Sequence, residues 1–188
     1  MRSSRLTPTL VLALGGYVGV IVALTLLKAF FQIGYLWLPE NQVAREIRLR
    51  PLAELDGTSW FGPVFGYGGN FALFVPLGVL LFILLRRIGP VTACGFGLSL
   101  TVETLQYAFG LGRSDIDDLI FNTLGAFAGA AFASWCGPRF HRLWIWLGIL
   151  TTAVFVVLAA LGPRLGDPDK VKDVSAPSVT SQELPGNA

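Results

Sequence analysis

The stretch Gly112–Gly125, which reads GRSDIDDLIFNTLG, carries the densest group of chemically active side chains in the chain. Arg113, Asp115, Asp117 and Asp118 lie within six residues, and a strongly apolar segment follows them directly. Carboxylates accept hydrogen bonds, bind cations or transfer protons, whereas the planar guanidinium of arginine suits phosphate groups. This stretch is therefore the first candidate for a functional site.

The same stretch predicts a polar stripe that continues into the membrane. At helical spacing Asp115, Asp118, Asn122 and Gly125 share one face, because residues three and four apart are neighbours on a helix. Placing a charged side chain against lipid costs on the order of several kcal/mol, so the stripe must face other helices or a cavity. Other parts of the chain must supply its partners.

The composition identifies the class of protein. Of 188 residues, 53% are hydrophobic and only 14% are charged, and the mean hydropathy is +0.63. Soluble domains carry roughly 25% charged residues, so this is a membrane protein. The net charge of +2 is small, and the basic residues of the chain are scattered and do not form a patch. Both features argue against a nucleic-acid partner. We predict an all-α fold, a polytopic transmembrane helical bundle of about five spans.

The apolar runs place these spans within one domain, 1–162. We predict spans at about 6–27, 67–85, 91–109, 119–136 and 143–161, with an outer loop at 28–66. Residues 163–188 are rich in Pro, Ser, Asp and Lys without periodicity, and this composition predicts a disordered tail. The sequence does not indicate an oligomeric state.

The distribution of arginines predicts the orientation. If the amino end is cytoplasmic, the cytoplasmic ends of the spans carry several arginines and no acidic residue; these are Arg2, Arg5, Arg86, Arg87, Arg139 and Arg142. This is the positive-inside pattern of short loops. It places GRSDIDD on the outer face of the membrane.

Two other spans carry polar residues at a similar predicted depth. Glu103 and Gln106 share a face of the third span, and Asn70 lies one turn into the second. We therefore predict an outer-leaflet pocket whose ligand-binding residues are Asn70, Glu103, Gln106, Arg113, Asp115, Asp118 and Asn122. In this pocket Arg113 would hold an anionic group, and the carboxylates would hold hydroxyls or amides.

Three blocks of sequence together resemble the VanZ-like family of membrane proteins. They are NFALFVPLG at 70–78, the pair Glu103 and Gln106, and GRSDIDDLIFNTLG. The segment EIRLRPL is similar to a short Asn-Leu-x-Pro-Phe element of that family, although Arg48 stands in place of the Asn and Leu52 in place of the Phe. The resemblance implies a multi-pass protein of the bacterial cell membrane and envelope, with glycopeptide (teicoplanin) resistance as the named phenotype.

Three functions fit these residues. The first is a binding module for a membrane lipid, a lipid-linked wall precursor or a glycopeptide-like ligand. The second is an enzyme in which Glu103, Asp115 or Asp118 acts as a general base on a lipid or sugar phosphate; the cluster contains no histidine or recognisable nucleophile. The third is a structural latch, in which the polar stripe only holds the helices together.

Metal and cofactor sites are less well supported by the sequence. The three aspartates could bind a divalent cation, but they lack the spaced ligands of a dedicated calcium site, and carboxylates at a helix start also serve as caps. We therefore predict no metal site and no cofactor.

Overall fold

The computed structural model describes residues 6–26, 47–56, 60–110 and 114–161. Arg113, most of the predicted loop and the predicted disordered tail lie outside these ranges. Within them, five helices are long and apolar enough to cross a membrane. They are α1 (Leu6–Thr25), α2 (Phe61–Leu85), α3 (Ile88–Phe109), α4 (Ile116–Cys136) and α5 (His141–Leu161). The prediction of an all-α transmembrane bundle is confirmed.

Two short strands connect distant parts of the chain. Strand β1 (Ile47–Arg48) runs parallel to β2 (Ser114–Asp115) and pairs Ile47 with Ser114 and Arg48 with Asp115. A 3₁₀ turn, Ala53–Asp56, follows β1, and a second one, Pro138–Phe140, joins α4 to α5. Strand β1 thus lies directly against the start of residues 114–118, which we call the aspartate motif.

Helix α2 begins at Phe61, whereas the apolar run predicted the start of this span at about residue 67. The sequence before 67 is rich in glycine, which disfavours helices in water. In a bilayer the backbone must satisfy its hydrogen bonds internally, and a helix does this even through glycines. Pro63 lies in the first turn, where its missing N–H is tolerated.

Close packing of α2 on α4 is the most extensive helix contact in the described structure. Gly125 and Gly129 of α4 lie against the backbone carbonyls of Phe71 and Val75, so close that a Cβ atom on either glycine would overlap α2. Small residues thus let the two helices approach closely, and Gly78 of α2 packs reciprocally against Ala126.

Helix α5 completes the apolar core from the other side. It packs mainly against α1 and α2, where Ile145 joins Tyr17, Phe74 and Leu80 in one buried cluster. Most of the remaining side chains of α5 are exposed, as expected for a supporting helix that faces lipid.

Pro76 interrupts the hydrogen bonding of α2, and α1 supplies a donor to the same turn. Pro76 has no N–H to offer the carbonyl of Ala72, and its ring crowds the preceding turn. The hydroxyl of Tyr17 donates to the neighbouring carbonyl of Leu73 over 3.0 Å. The donor thus reaches the carbonyl one residue after the one that Pro76 leaves free.

We expect Tyr17→Phe to lower the free energy of unfolding by about 1 kcal/mol, because it removes this hydrogen bond and leaves the aromatic ring in place. Thermal unfolding in detergent measures the effect. The control is Tyr107→Phe on α3, whose side chain is exposed, and it should leave the unfolding midpoint unchanged. Equal midpoints for parent and Tyr17→Phe would contradict a role for this bond.

Candidate functional site

The aspartate motif forms the amino end of α4, and each aspartate there has a different role. Asp115 is the N-cap, and its carboxylate accepts the N–H of Asp117 over 2.9 Å. It therefore precedes the helix and does not share a helical face with Asp118 and Asn122, contrary to the predicted stripe. The physical reason is that an N-cap residue adopts extended backbone angles, which turn its side chain back toward the first turn.

Asp117 is 1% exposed and joins three parts of the chain. Both of its oxygens accept the N–H of Leu52, each over 2.9 Å, and one also accepts the hydroxyl of Tyr67 over 2.9 Å. The ring of Tyr67 stacks on Phe121 with centroids 4.7 Å apart. The negative charge also lies in the first turn of α4, where the helix dipole favours it.

Leu52 adopts a left-handed backbone conformation, with φ of 58°. A non-glycine residue pays an energetic penalty there, so neighbouring contacts must hold it in place. Those contacts are the paired oxygens of Asp117 and, a few residues earlier, the β1–β2 pairing. The segment that departs from the usual family pattern is thus docked on the aspartate motif.

Asp118 and Asn122 lie one turn apart on α4 and contact two different helices. Asp118 accepts a hydrogen bond from the side-chain amide of Asn70 on α2. The amide of Asn122 donates to the hydroxyl of Ser99 on α3 over 2.9 Å. The polar residues predicted on three spans therefore do meet one another.

Glu103 and Gln106 complete the group from α3. One oxygen of Glu103 accepts the backbone N–H of Asp115 over 2.8 Å, and the amide of Gln106 donates to the carbonyl of Thr25 over 3.1 Å. Glu103 and Gln106 are 5% and 3% exposed, so both contacts are made away from solvent. They connect α3 to the start of α4 and to the end of α1.

These residues surround a cavity of about 480 Å³ between the ends of four helices, which we call the polar cavity. Its lining includes five of the seven predicted ligand-binding residues, Asn70, Glu103, Gln106, Asp118 and Asn122. This volume lies within the range of small-molecule sites, about 300–1,000 Å³. Its described lining contains two carboxylates and no basic residue.

Two side-chain carbonyl oxygens in this lining are buried and have no hydrogen-bond donor among the residues that the structure describes. They are Oε1 of Gln106 and Oδ1 of Asn122. The orientation of Gln106 is fixed, because the carbonyl of Thr25 can only accept and the amide nitrogen must therefore face it. For Asn122 either orientation leaves one polar end unpaired. Buried polar groups are normally paired, so the described lining leaves these two amides each short of one partner.

The other two predicted ligand-binding residues are placed differently. Asp115 lies outside the lining of the polar cavity, and its carboxylate serves as the cap of α4. Arg113 lies outside the described residues. Within the described ranges, no group of three or more His, Cys, Asp or Glu side chains is arranged to hold a metal ion.

Two residues of this site were not predicted from the sequence. Asp117 was considered as a cation ligand or as a carboxylate at a helix start, and nothing local to it reveals that Leu52 and Tyr67 are its partners. Ser99, which is 0% exposed, could have been found from its spacing, since it lies four residues before Glu103 on the same face of α3.

Comparisons with known proteins identify the same family that the three sequence blocks resemble. The sequence model of the VanZ/LLP1 family matches residues 14–137, which include α2, α3, α4 and all of the polar cavity. The chain is also similar to Protein VanZ of Enterococcus faecium, with 35% identity over 95 residues. That match covers 47% of this chain and 59% of the relative, so it spans little more than half of the relative's length. No solved structure matches.

The family match covers most of the chain, the matched region contains the three motif blocks, and five of their polar side chains converge on one cavity. The chain is a multi-pass membrane protein of the VanZ/LLP1 family.

Proposed function

We propose that the protein is a binding module of the bacterial cell membrane and that its polar cavity receives the head of an envelope lipid, a lipid-linked wall precursor or a glycopeptide-like ligand. The observation that carries this proposal is that the buried side-chain amides of Gln106 and Asn122 each leave one polar end unpaired among the described residues, beside a cavity of about 480 Å³. A ligand with hydroxyl or amide groups, which both donate and accept, would satisfy both ends.

The charge of the lining narrows the chemistry of the bound part. Glu103 and Asp118 supply carboxylate oxygens to the described lining, and such oxygens suit sugar hydroxyls, amides or an ammonium group. The assignment of Arg113 to an anionic group stays a prediction from the sequence, as does the outward orientation of this end.

A structural latch is the second candidate, and the hydrogen bonds favour it. Asp118 contacts α2, Glu103 contacts the start of α4, and Gln106 contacts the end of α1. These bonds would stabilise the bundle without any ligand. Ligand binding and a structural latch predict different results when the charge of Glu103 or Asp118 is removed and the shape of the side chain is kept.

We expect Glu103→Gln and Asp118→Asn to lose the bound ligand and to remain folded. Each variant keeps a carbonyl oxygen that can accept the same donor, from Asp115 or Asn70, but loses its negative charge. Charge-assisted hydrogen bonds contribute about 1.5–3 kcal/mol, so occupancy should fall at least about tenfold. The measurement is native mass spectrometry of protein released from mild detergent with its own membrane lipids, together with a thermal unfolding curve.

The matched control is Asp56→Asn. Asp56 is an exposed carboxylate that pairs with Arg50 and does not line the polar cavity, so this variant should keep the adduct. An adduct that persists in Glu103→Gln and Asp118→Asn would exclude the polar cavity as its site. Bare protein in every sample, with both cavity variants unfolding well below the parent, would support the latch. Release of a chemically altered adduct would instead indicate an enzyme.

A further inference from the structure

A second cavity lies at the opposite end of the bundle, which we call the basic end. This end contains the short connections from α2 to α3 and from α4 to α5, and its described residues include Arg86, Arg87, Arg139 and Arg142 but no acidic residue. The cavity has a volume of about 500 Å³ and lies between the last turn of α4 and the first turns of α5. None of the proposed functions above uses it.

The cavity exists because α4 and α5 pack on different neighbours. Helix α4 packs mainly against α2 and α3, whereas α5 packs mainly against α1 and α2, and a cleft opens between α4 and α5. Aromatic side chains line this cleft, including Phe132 and Trp135 of α4 and Trp144 of α5. Trp135 is 83% exposed, as expected for an aromatic residue that faces the membrane interface.

An apolar groove continues from this cavity along α2 and α5. It has a volume of about 280 Å³, shares Phe132 and Trp144 with the cavity, and passes Pro76, Leu80 and Leu147. The shared side chains place the cavity and the groove directly next to each other. A molecule with a polar head and an apolar chain can therefore occupy both at once.

Two side chains of the cavity, Trp144 and Arg139, carry hydrogen-bond donors. Nε1 of Trp144 is buried and has no hydrogen-bond partner among the described residues, and its ring is held edge-on to Phe132 with centroids 5.3 Å apart. The guanidinium of Arg139 lies 4.9 Å from the ring centroid of Phe140, and no carboxylate of the described residues is within ion-pair distance of it. An anion in this cavity would satisfy the indole N–H and the guanidinium together.

We propose that this cavity binds an anionic phospholipid of the surrounding membrane, with its phosphate at Arg139 and Trp144 and one acyl chain in the groove. The charge of the basic end, the unpaired indole donor and the apolar groove all match such a lipid, because basic pockets between membrane helices favour anionic head groups. This site is separate from the polar cavity and does not depend on the function proposed for it.

The test measures lipid retention by native mass spectrometry. Full-length protein in mild detergent is mixed with phosphatidylglycerol or with phosphatidylcholine of the same chains. We expect the parent to retain phosphatidylglycerol preferentially, and Arg139→Gln and Trp144→Phe each to reduce its occupancy by about fivefold or more. Trp144→Phe keeps an aromatic ring in the cavity and removes only the N–H.

Two control variants have closely similar chemistry outside the cavity. Arg142→Gln removes an exposed arginine of the same basic end, and Trp146→Phe removes the indole of a residue of α5 that is 58% exposed. Both should keep phosphatidylglycerol at the level of the parent. Equal losses in Arg139→Gln and Arg142→Gln would show that only the net charge matters and would overturn the site.

Two further outcomes would overturn the proposal. Equal retention of phosphatidylglycerol and phosphatidylcholine by the parent would show that the cavity does not recognise an anionic head group. Binding of glycerol 3-phosphate that matches the binding of phosphatidylglycerol would identify a site for free phosphate compounds, with no role for the groove. Arg139→Gln should still retain the ligand proposed for the polar cavity, because the two sites lie at opposite ends of the bundle.

Discussion

Replacing Gly129 with alanine is expected to lower the free energy of unfolding by about 2–4 kcal/mol and the unfolding midpoint by about 5–15 °C. A Cβ at this position would lie 2.0 Å from the carbonyl oxygen of Val75 and 3.0 Å from the backbone nitrogen of Val79. Both are backbone atoms of α2 and cannot rotate away as a side chain would. The helices must therefore separate along their most extensive contact.

The same change should also disturb the polar cavity, because α2 carries Asn70 and α4 carries its partner Asp118. We expect Gly129→Ala to lose the adduct as well as thermal stability, although Gly129 does not line the cavity. The measurements are thermal unfolding in detergent and native mass spectrometry on the same sample.

Gly97→Ala on α3 is the matched control. A Cβ at Gly97 would meet no atom within 4 Å, and alanine favours helix over glycine by about 1 kcal/mol in water. Its midpoint should be equal to that of the parent or slightly higher. If Gly129→Ala unfolds at the same temperature as Gly97→Ala, the close approach of α2 and α4 is not what stabilises the bundle.

Asp117→Ala is expected to have the second large effect, with a loss of about 2–4 kcal/mol in the free energy of unfolding. The substitution leaves the N–H of Leu52 and the hydroxyl of Tyr67 without this acceptor, and it removes a negative charge from the first turn of α4. It also releases the left-handed backbone of Leu52, which Asp117 helps to hold. The measurement is again the midpoint of thermal unfolding.

A double-mutant cycle with Tyr67→Phe separates the hydrogen bond from the other effects of Asp117. Residues in direct contact are not additive, so the double variant should be more stable than the sum of the single losses predicts. Asp56→Ala is the control, because Asp56 is 61% exposed and exposed ion pairs contribute only about 0–1 kcal/mol. Losses for Asp117→Ala no greater than for Asp56→Ala would show that the buried carboxylate is not a structural link.

The sequence was sufficient to predict the class of fold and most of the polar cavity. Five apolar runs predicted the five helices, because in a bilayer each helix satisfies its own backbone and its length follows from the thickness of the membrane. The side chains Asn70, Glu103 and Asn122 were predicted to converge because polar groups on membrane helices avoid lipid. Helical spacing then added Gln106 and Asp118 to the same group.

The start of α2 was predicted less well than its end. The predicted outer loop extended to Gly66, but Gly66 lies inside the helix. Arg86 and Arg87 indicated the other end correctly, since charged residues leave the apolar region. In a bilayer, a glycine is therefore a weaker indicator of a helix boundary than an arginine is.

The sequence alone determined which polar residues this protein must bury, and the tertiary structure decided what each of them does. Three aspartates within four positions look alike in the sequence, yet Asp115 caps α4, Asp117 binds a distant backbone N–H, and Asp118 lines the polar cavity. A one-residue shift turns a side chain by about 100° around a helix, so its neighbours depend on where α4 begins and how it is rotated. Those two quantities are set by the glycine contact with α2 and by the docking of β1, which local sequence patterns do not encode.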